Sequence, residues 1–184
     1  NRFLSSRLTK IDRAGDQAII YAQFPDPATY HLNVFARKDT KFQQDYFVMQ
    51  YRVQASSGAG ETAGFVRTTP EFDQFGMKLM SHTQPIIKTG SGLTITLKAP
   101  AEVELITELS FNGVEQRKNL VLTQSQGDLR QISLIFPRPG AYWLTVSAWR
   151  PESGNNTCYE VLKYEIRAES GAGDKAGFVQ TDEK

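Results

Sequence analysis

The chain is written twice. Sliding the 184-residue sequence by 112 positions lays Phe24-Pro25-Asp26-Pro27-Ala28-Thr29-Tyr30 on Phe136-Pro137-Arg138-Pro139-Gly140-Ala141-Tyr142, and HLNVFARKD on WLTVSAWRP. One extra residue then moves the spacing to 113, and ten of the sixteen positions from Tyr51 to Val66 match those from Tyr164 to Val179. Upstream, Ile20, Ala22 and Phe24 fall on Ile132, Leu134 and Phe136. Self-similarity at a fixed spacing means one module used in tandem. The second copy is complete, and the first starts at a point matching about Gly113.

Periodicity gives the kind of module. Leu93-Thr94-Ile95-Thr96-Leu97, residues 103–109, Ile132-Ser133-Leu134-Ile135-Phe136 and residues 142–149 alternate apolar and polar side chains, the period of half-buried strands. The spacers Thr89-Gly90-Ser91-Gly92, Phe111-Asn112-Gly113, Gln126-Gly127-Asp128, Pro137-Arg138-Pro139-Gly140 and residues 153–156 carry turn chemistry. No long stripe of helical period is present. The spacing predicts seven strands in the second copy, near 73–82, 92–98, 102–111, 117–124, 130–136, 141–150 and 158–168, and the last four of them in the first copy. Seven short strands separated by turns are the pattern of an antiparallel β-sandwich. Pro139-Gly140-Ala141-Tyr142-Trp143-Leu144 resembles the tyrosine corner of immunoglobulin-like folds, with Pro27-Ala28-Thr29-Tyr30-His31-Leu32 as its counterpart; a tyrosine after an ordinary turn is the alternative. The fold expected is all-β: tandem immunoglobulin-like antiparallel β-sandwich modules, the first incomplete. Residues 1–55 form the C-terminal part of the first module and 72–168 the complete one. The small-residue stretch SSGAGETAGFV lies in a Gly/Ala-rich linker over 56–71. Its echo lies in a linker or tail over 169–184, toward a module the chain lacks. Both stretches are expected to be exposed and mobile, because glycine and alanine bury little and leave the backbone free.

Charge and composition exclude several classes. Twenty-one basic and twenty acidic residues leave a net charge of +1, with no basic run to track phosphates, so nucleic acid and an acidic membrane are not expected partners. The apolar runs are too short to span a bilayer, and NRFLSSRLTK is no signal peptide. A single cysteine forms no internal disulfide, which agrees with a reducing compartment. Asn155-Asn156-Thr157 is a glycosylation sequon of the kind that arises by chance.

Catalytic chemistry finds little to work with. Gly58-Ala59-Gly60-Glu61-Thr62-Ala63-Gly64 has the wrong glycine spacing for a phosphate loop, and Thr69-Pro70 interrupts the stretch where the helix of such a loop would run. Cys158, His31 and His82 are the whole stock for thiol or imidazole chemistry, and two distant histidines do not make a zinc site. Glu102, Glu104 and Glu108 alternate along a strand and read as a solvated face. No catalytic residue, cofactor or metal is assigned.

The repeat, the F-P-x-P-G-x-Y-x-L turn and the segment Phe75-Gly76-Met77-Lys78-Leu79-Met80-Ser81-His82 together resemble the immunoglobulin-like modules downstream of the transglutaminase-like domain in the kyphoscoliosis peptidase and hillarin family. The second copy carries the resemblance at Gly76, Leu79, Ser81, His82, Phe136, Pro137, Pro139, Gly140, Tyr142, Leu144, Ala148 and Trp149. The first carries it at Phe24, Pro25, Pro27, Tyr30, Leu32, Phe35 and Ala36. The resemblance implies a cytoplasmic, cytoskeleton-associated protein whose enzyme-like domain lies elsewhere in the parent. That domain type uses Cys, His and Asp in that chain order, and no histidine follows Cys158.

The function expected is a non-catalytic protein-interaction or spacer segment of a larger cytoskeleton-associated protein. The alternatives are an accessory domain presenting substrate to a hydrolase and an extracellular carbohydrate-binding sandwich. The partner is a protein, cytoskeletal or an adjacent module, or a second chain lending strands to the first copy. Strand alternation nominates the contact residues. With Tyr142, Leu144, Val146 and Ala148 facing the core, Trp143 and Trp149 face outward, and the same count places Tyr159 and Val161 outside on the last strand. These four are the candidate partner-binding residues, and cover by a linker or the neighbouring copy is the alternative for the tryptophans.

Overall fold

The structure is a computed structural model that describes residues 2–3, 6–37, 44–151 and 157–179. The turn expected at 153–156, with the sequon asparagines, lies outside the described residues. The chain divides into two compact units, Asn1–Phe65 and Val66–Lys184.

The first unit holds β1 (Arg2–Phe3), β2 (Thr9–Ala14), β3 (Gln17–Ala22), β4 (Thr29–Ala36) and β5 (Tyr46–Gln54). β2 and β3 form a hairpin across the two-residue turn Gly15-Asp16, with Gly15 at φ +61°, a left-handed conformation that glycine adopts at no steric cost. The other sheet has the order β1–β4–β5, with β1 parallel to β4.

The second unit holds β6 (Arg67–Thr68), α1 (Pro70–Gln74), β7 (Lys78–Leu79), β8 (Ile86–Thr89), β9 (Gly92–Lys98), β10 (Glu104–Phe111), β11 (Val114–Glu115), β12 (Val121–Gln126), β13 (Leu129–Ile135), β14 (Gly140–Trp149) and β15 (Tyr159–Ala168). One sheet runs β7–β9–β13–β12. The other runs β11–β10–β14–β15, and β6 and β8 share the free edge of β15, β8 in parallel. Ile95, Leu97, Ile132 and Leu134 from one sheet meet Leu109, Tyr142, Leu144, Val146, Tyr164 and Ile166 from the other, all closed off from solvent. Alternation thus places the core as the sequence implied. The first expected strand, 73–82, is instead α1 followed by the two-residue β7. Pro70 stands at the start of that helical turn with Glu71 and Asp73 beside it, which suits a helix N-terminus, and Phe72 is buried.

Both tyrosine corners are present. The Tyr142 hydroxyl donates to the Arg138 carbonyl at 2.9 Å, and the Tyr30 hydroxyl donates to that of Asp26 at 2.9 Å. Each hydroxyl bonds four residues back across its Pro-containing turn while its ring closes the end of the core, so Tyr30 is buried even in the smaller unit.

The Gly/Ala stretches are exposed over 56–61 and 169–175, as expected, and their backbones bond back to their own units. Ala59 and Gly60 donate their amides to the carbonyls of Phe24 and Pro25, and Phe65 donates to that of Arg7. In the second unit Ala172 and Gly173 donate to Phe136 and Pro137, and Phe178 donates to Asn119. The partners correspond one for one under the repeat. Glycine is what permits the approach: a Cβ on Gly58 would stand 2.2 Å from the Pro25 carbonyl oxygen, and one on Gly171 2.4 Å from that of Pro137. The repeated passage is thus the same backbone clasp made in each unit. The boundary between units falls inside the 56–71 stretch, since Val66 already bonds to Thr83 and β6 pairs with β15.

Candidate functional site

The outer face of β10–β14–β15 is fixed by the pairing register. Ser110, Trp143 and Glu165 form one row, and Glu108, Thr145 and Lys163 the next. Ile106, Ser147 and Glu160 come after them, and Glu104 stands opposite Trp149. Trp143 is 41% exposed, and the Lys163 ammonium lies 5.5 Å from its ring centroid. That is a cation–π arrangement between diagonal neighbours on adjacent strands. Glu165 is held by Arg167 at 2.9 Å. Trp149 lies on the same face, half-buried, about 20 Å along the strand by the rise per residue. Exposed Glu104, Glu108 and Glu160 around Ile106 make the middle of the face acidic.

Two of the four nominated residues are elsewhere. A β-bulge between Val146 and Ser147 shifts the register, so Val146 faces Leu162 and Ser147 faces Glu160, leaving Val161 as the extra residue. Val161 is fully buried, and its carbonyl accepts the Thr69 amide at 3.1 Å. Beyond the bulge the parity is reversed. Tyr159 pairs with core-facing Ala148 and lies against Phe75, with ring centroids 6.2 Å apart; it is off the Trp143 face but, as expected, outside the core, 38% exposed. Strict alternation would have put Glu160 into the core, and the bulge replaces it with Val161. The signal was the adjacent apolar pair Val161-Leu162, which breaks the period. The first unit repeats both the pair, as Val48-Met49, and the bulge, between Val34 and Phe35.

The sequence also carried the Ser81-His82 segment without showing its role. His82 adopts φ +54°, and its carbonyl accepts the Tyr164 hydroxyl at 2.7 Å. The Ser81 hydroxyl oxygen accepts the Thr96 amide at 2.8 Å and lies 2.9 Å from His82 Nδ1. The segment joins the corner before β8 to β9 and β15, and burial pushes the imidazole below its ordinary value. Burial also raises the Tyr164 phenol well above its usual range, so it stays a hydrogen-bond donor. Cys158 is exposed just before β15. Among the described residues no group of three or more His, Cys, Asp or Glu side chains is placed to hold a metal. An open cleft of about 340 Å³ beside β10 is lined by Ile106, Glu108, Glu115, Arg117, Lys118 and Val121. Arg117 is committed there to the carbonyls of Asp174 and Ala176 in the clasp.

Two antiparallel sheets in this order, an edge strand parallel to the last strand and a tyrosine corner define an immunoglobulin-like β-sandwich. Residues 60–176 match the family model of the KY-like, immunoglobulin-like domain, and the chain belongs to that family. No curated protein matches the chain significantly. Among solved structures, titin M4 in a trigonal crystal form is similar at 12% identity, covering 51% of this chain and 94% of that one, with a TM-score of 0.27.

Proposed function

We propose that the chain is a non-catalytic protein-binding segment of a larger, cytoskeleton-associated protein of the transglutaminase-like kind, and that the outer face of β10–β14–β15 makes the contact. The observation that carries this reading is Trp143, 41% exposed on a sheet face with Lys163 set against its ring. Tryptophan on an open sheet is a typical interface anchor. The first unit has His31 and Arg37 at the positions of Trp143 and Trp149, so the module folds without indoles there and their presence serves something else.

The test is co-sedimentation of the chain with purified actin filaments and, separately, with purified muscle thick filaments. The chain should pellet with one of them. Trp143→Ser/Trp149→Ser should weaken that association at least tenfold, while the unfolding free energy from urea titration changes by less than about 1 kcal/mol, as for surface sites. Failure to pellet with either filament removes the cytoskeletal reading. Unchanged pelleting of the variant removes this face.

A further inference from the structure

β10 is the border strand of its sheet for most of its length. β14 fills one side, and among the described residues β11 pairs with the other only at Ser110 and Phe111. On that β11 side the Gln116 amide donates to the Leu109 carbonyl at 2.8 Å. Backbone direction alternates along an antiparallel ladder, so Leu105 and Thr107 present their N–H and C=O groups to the same side as Leu109. No described strand meets them there. An edge with backbone groups unpaired in the ladder is a template for another strand.

There is room for one. The open cleft of about 340 Å³ runs along this edge from Ile106 to Leu109, with residues 115–118 and Val121 as its other wall. Thr107 Oγ1 lies 3.4 Å from Thr123 Oγ1 on β12, where the borders of the two sheets come together.

The side chains beside the edge define what fits. Glu104, Ile106 and Glu108 stand exposed on the outer face, successive members about 6.8 Å apart by the strand rise. Glu115, opposite Ser110, extends the row onto β11. Arg117 and Lys118 belong to the far wall, and Arg117 is held by the carbonyls of Asp174 and Ala176. A strand added to β10 sets its alternate residues directly against Glu104, Ile106 and Glu108, where opposite charges attract and like charges repel. A second copy of β10, paired antiparallel about Ile106, would bring Glu104 against Glu108 and is disfavoured by that rule. A neutral strand leaves both carboxylates without a partner. The row selects a strand that reads basic–apolar–basic at alternate positions.

We propose that the β10 edge is a strand-addition site for an extended basic segment of a partner protein. Lys or Arg side chains four residues apart pair with Glu104 and Glu108, an apolar side chain between them packs on Ile106, and the backbone bonds to Leu105 and Thr107. This assignment rests on the reading that the outer face of β10–β14–β15 binds protein, and it names the chemistry of the bound segment.

The test titrates the full chain with the fluorescein-labelled peptide SKVIVKS, followed by anisotropy and by amide exchange. Two peptides serve as controls: SVKIKVS moves both lysines to the opposite face of the strand, and SEVIVES reverses their charge. SKVIVKS should bind at least tenfold more tightly than either control. It should slow exchange of the Leu105 and Thr107 amides at least tenfold and leave the already paired Gln116 amide unchanged. Glu104→Gln/Glu108→Gln should weaken its binding at least tenfold, and Glu104→Lys/Glu108→Lys should reverse the preference, so that SEVIVES binds more tightly than SKVIVKS. The amides of β13 report that each variant is folded. No preference for SKVIVKS overturns the inference, and so does a preference without protection of Leu105 and Thr107. Filament pelleting separates this assignment from the reading beneath it. Pelleting that is lost in Trp143→Ser/Trp149→Ser but unchanged in Glu104→Gln/Glu108→Gln means that the face binds without an added strand, and overturns this inference alone.

Discussion

His82 does its structural work through its backbone. Its left-handed φ aims the carbonyl at the Tyr164 hydroxyl, and its ring is carried along into a partly buried position. Burial lowers the imidazole's folded-state pKa below the ordinary 6.5, so between those two values the unfolded chain binds more protons. Stability from this group is therefore present above about pH 6.5 and is lost as pH falls through the folded value. His82→Asn keeps a residue that tolerates positive φ and removes the titration. Thermal melts at pH 7.5 and pH 5 should show a smaller acid-induced drop in the variant than in the parent; equal drops would assign the acid sensitivity to other groups. The sequence displayed Ser81 and His82 as a motif, but their task is set by a hydroxyl 82 residues away, and no local pattern announces such a bond.

At the scale of elements, the long strands were legible because alternation over seven to ten residues is a strong signal. β9, β13 and β14 lie within a residue or two of where the period put them. The two- to four-residue strands β6, β7 and β8 were not legible, since pieces so short have no period and exist only because β9 and β15 offer them an edge. The candidate face was half legible: Trp143 and Trp149 came from alternation, whereas Val161 and Tyr159 lay beyond a bulge that alternation cannot foresee. The clasp was read from composition as slack chain, though its glycines serve close packing. It makes a prediction of its own. The amides of Ala172, Gly173 and Phe178 should exchange more slowly than an open tail, because each donates to a carbonyl of the sandwich. Gly171→Ala should abolish that protection and destabilise the second unit by about 1–3 kcal/mol through the clash with Pro137. Gly90→Ala, whose added carbon would meet only the Ser170 hydroxyl at 3.5 Å, is the control and should be near neutral.

At the scale of the molecule, the apolar core is concentrated in the second unit, where every large core side chain from Ile86 to Ile166 is supplied by that unit itself. Residues 66–184 expressed alone should unfold in one cooperative transition, with the same urea midpoint as the corresponding transition of the full chain. A broad, non-cooperative melt of the fragment would show that the second unit depends on the first. The clasp has a mechanical consequence as well. Tension applied at Phe178 reaches β15 only after the bonds to Phe136, Pro137 and Asn119, and those of Arg117 to Asp174 and Ala176, have parted. Those few bonds lie in series with a sandwich held by its whole core, so they yield first. Residues 169–179 then release roughly 35 Å of contour length at the usual reach of an extended chain. The first stage of stretching should therefore lengthen this segment while the β-sandwich of the second unit keeps its shape.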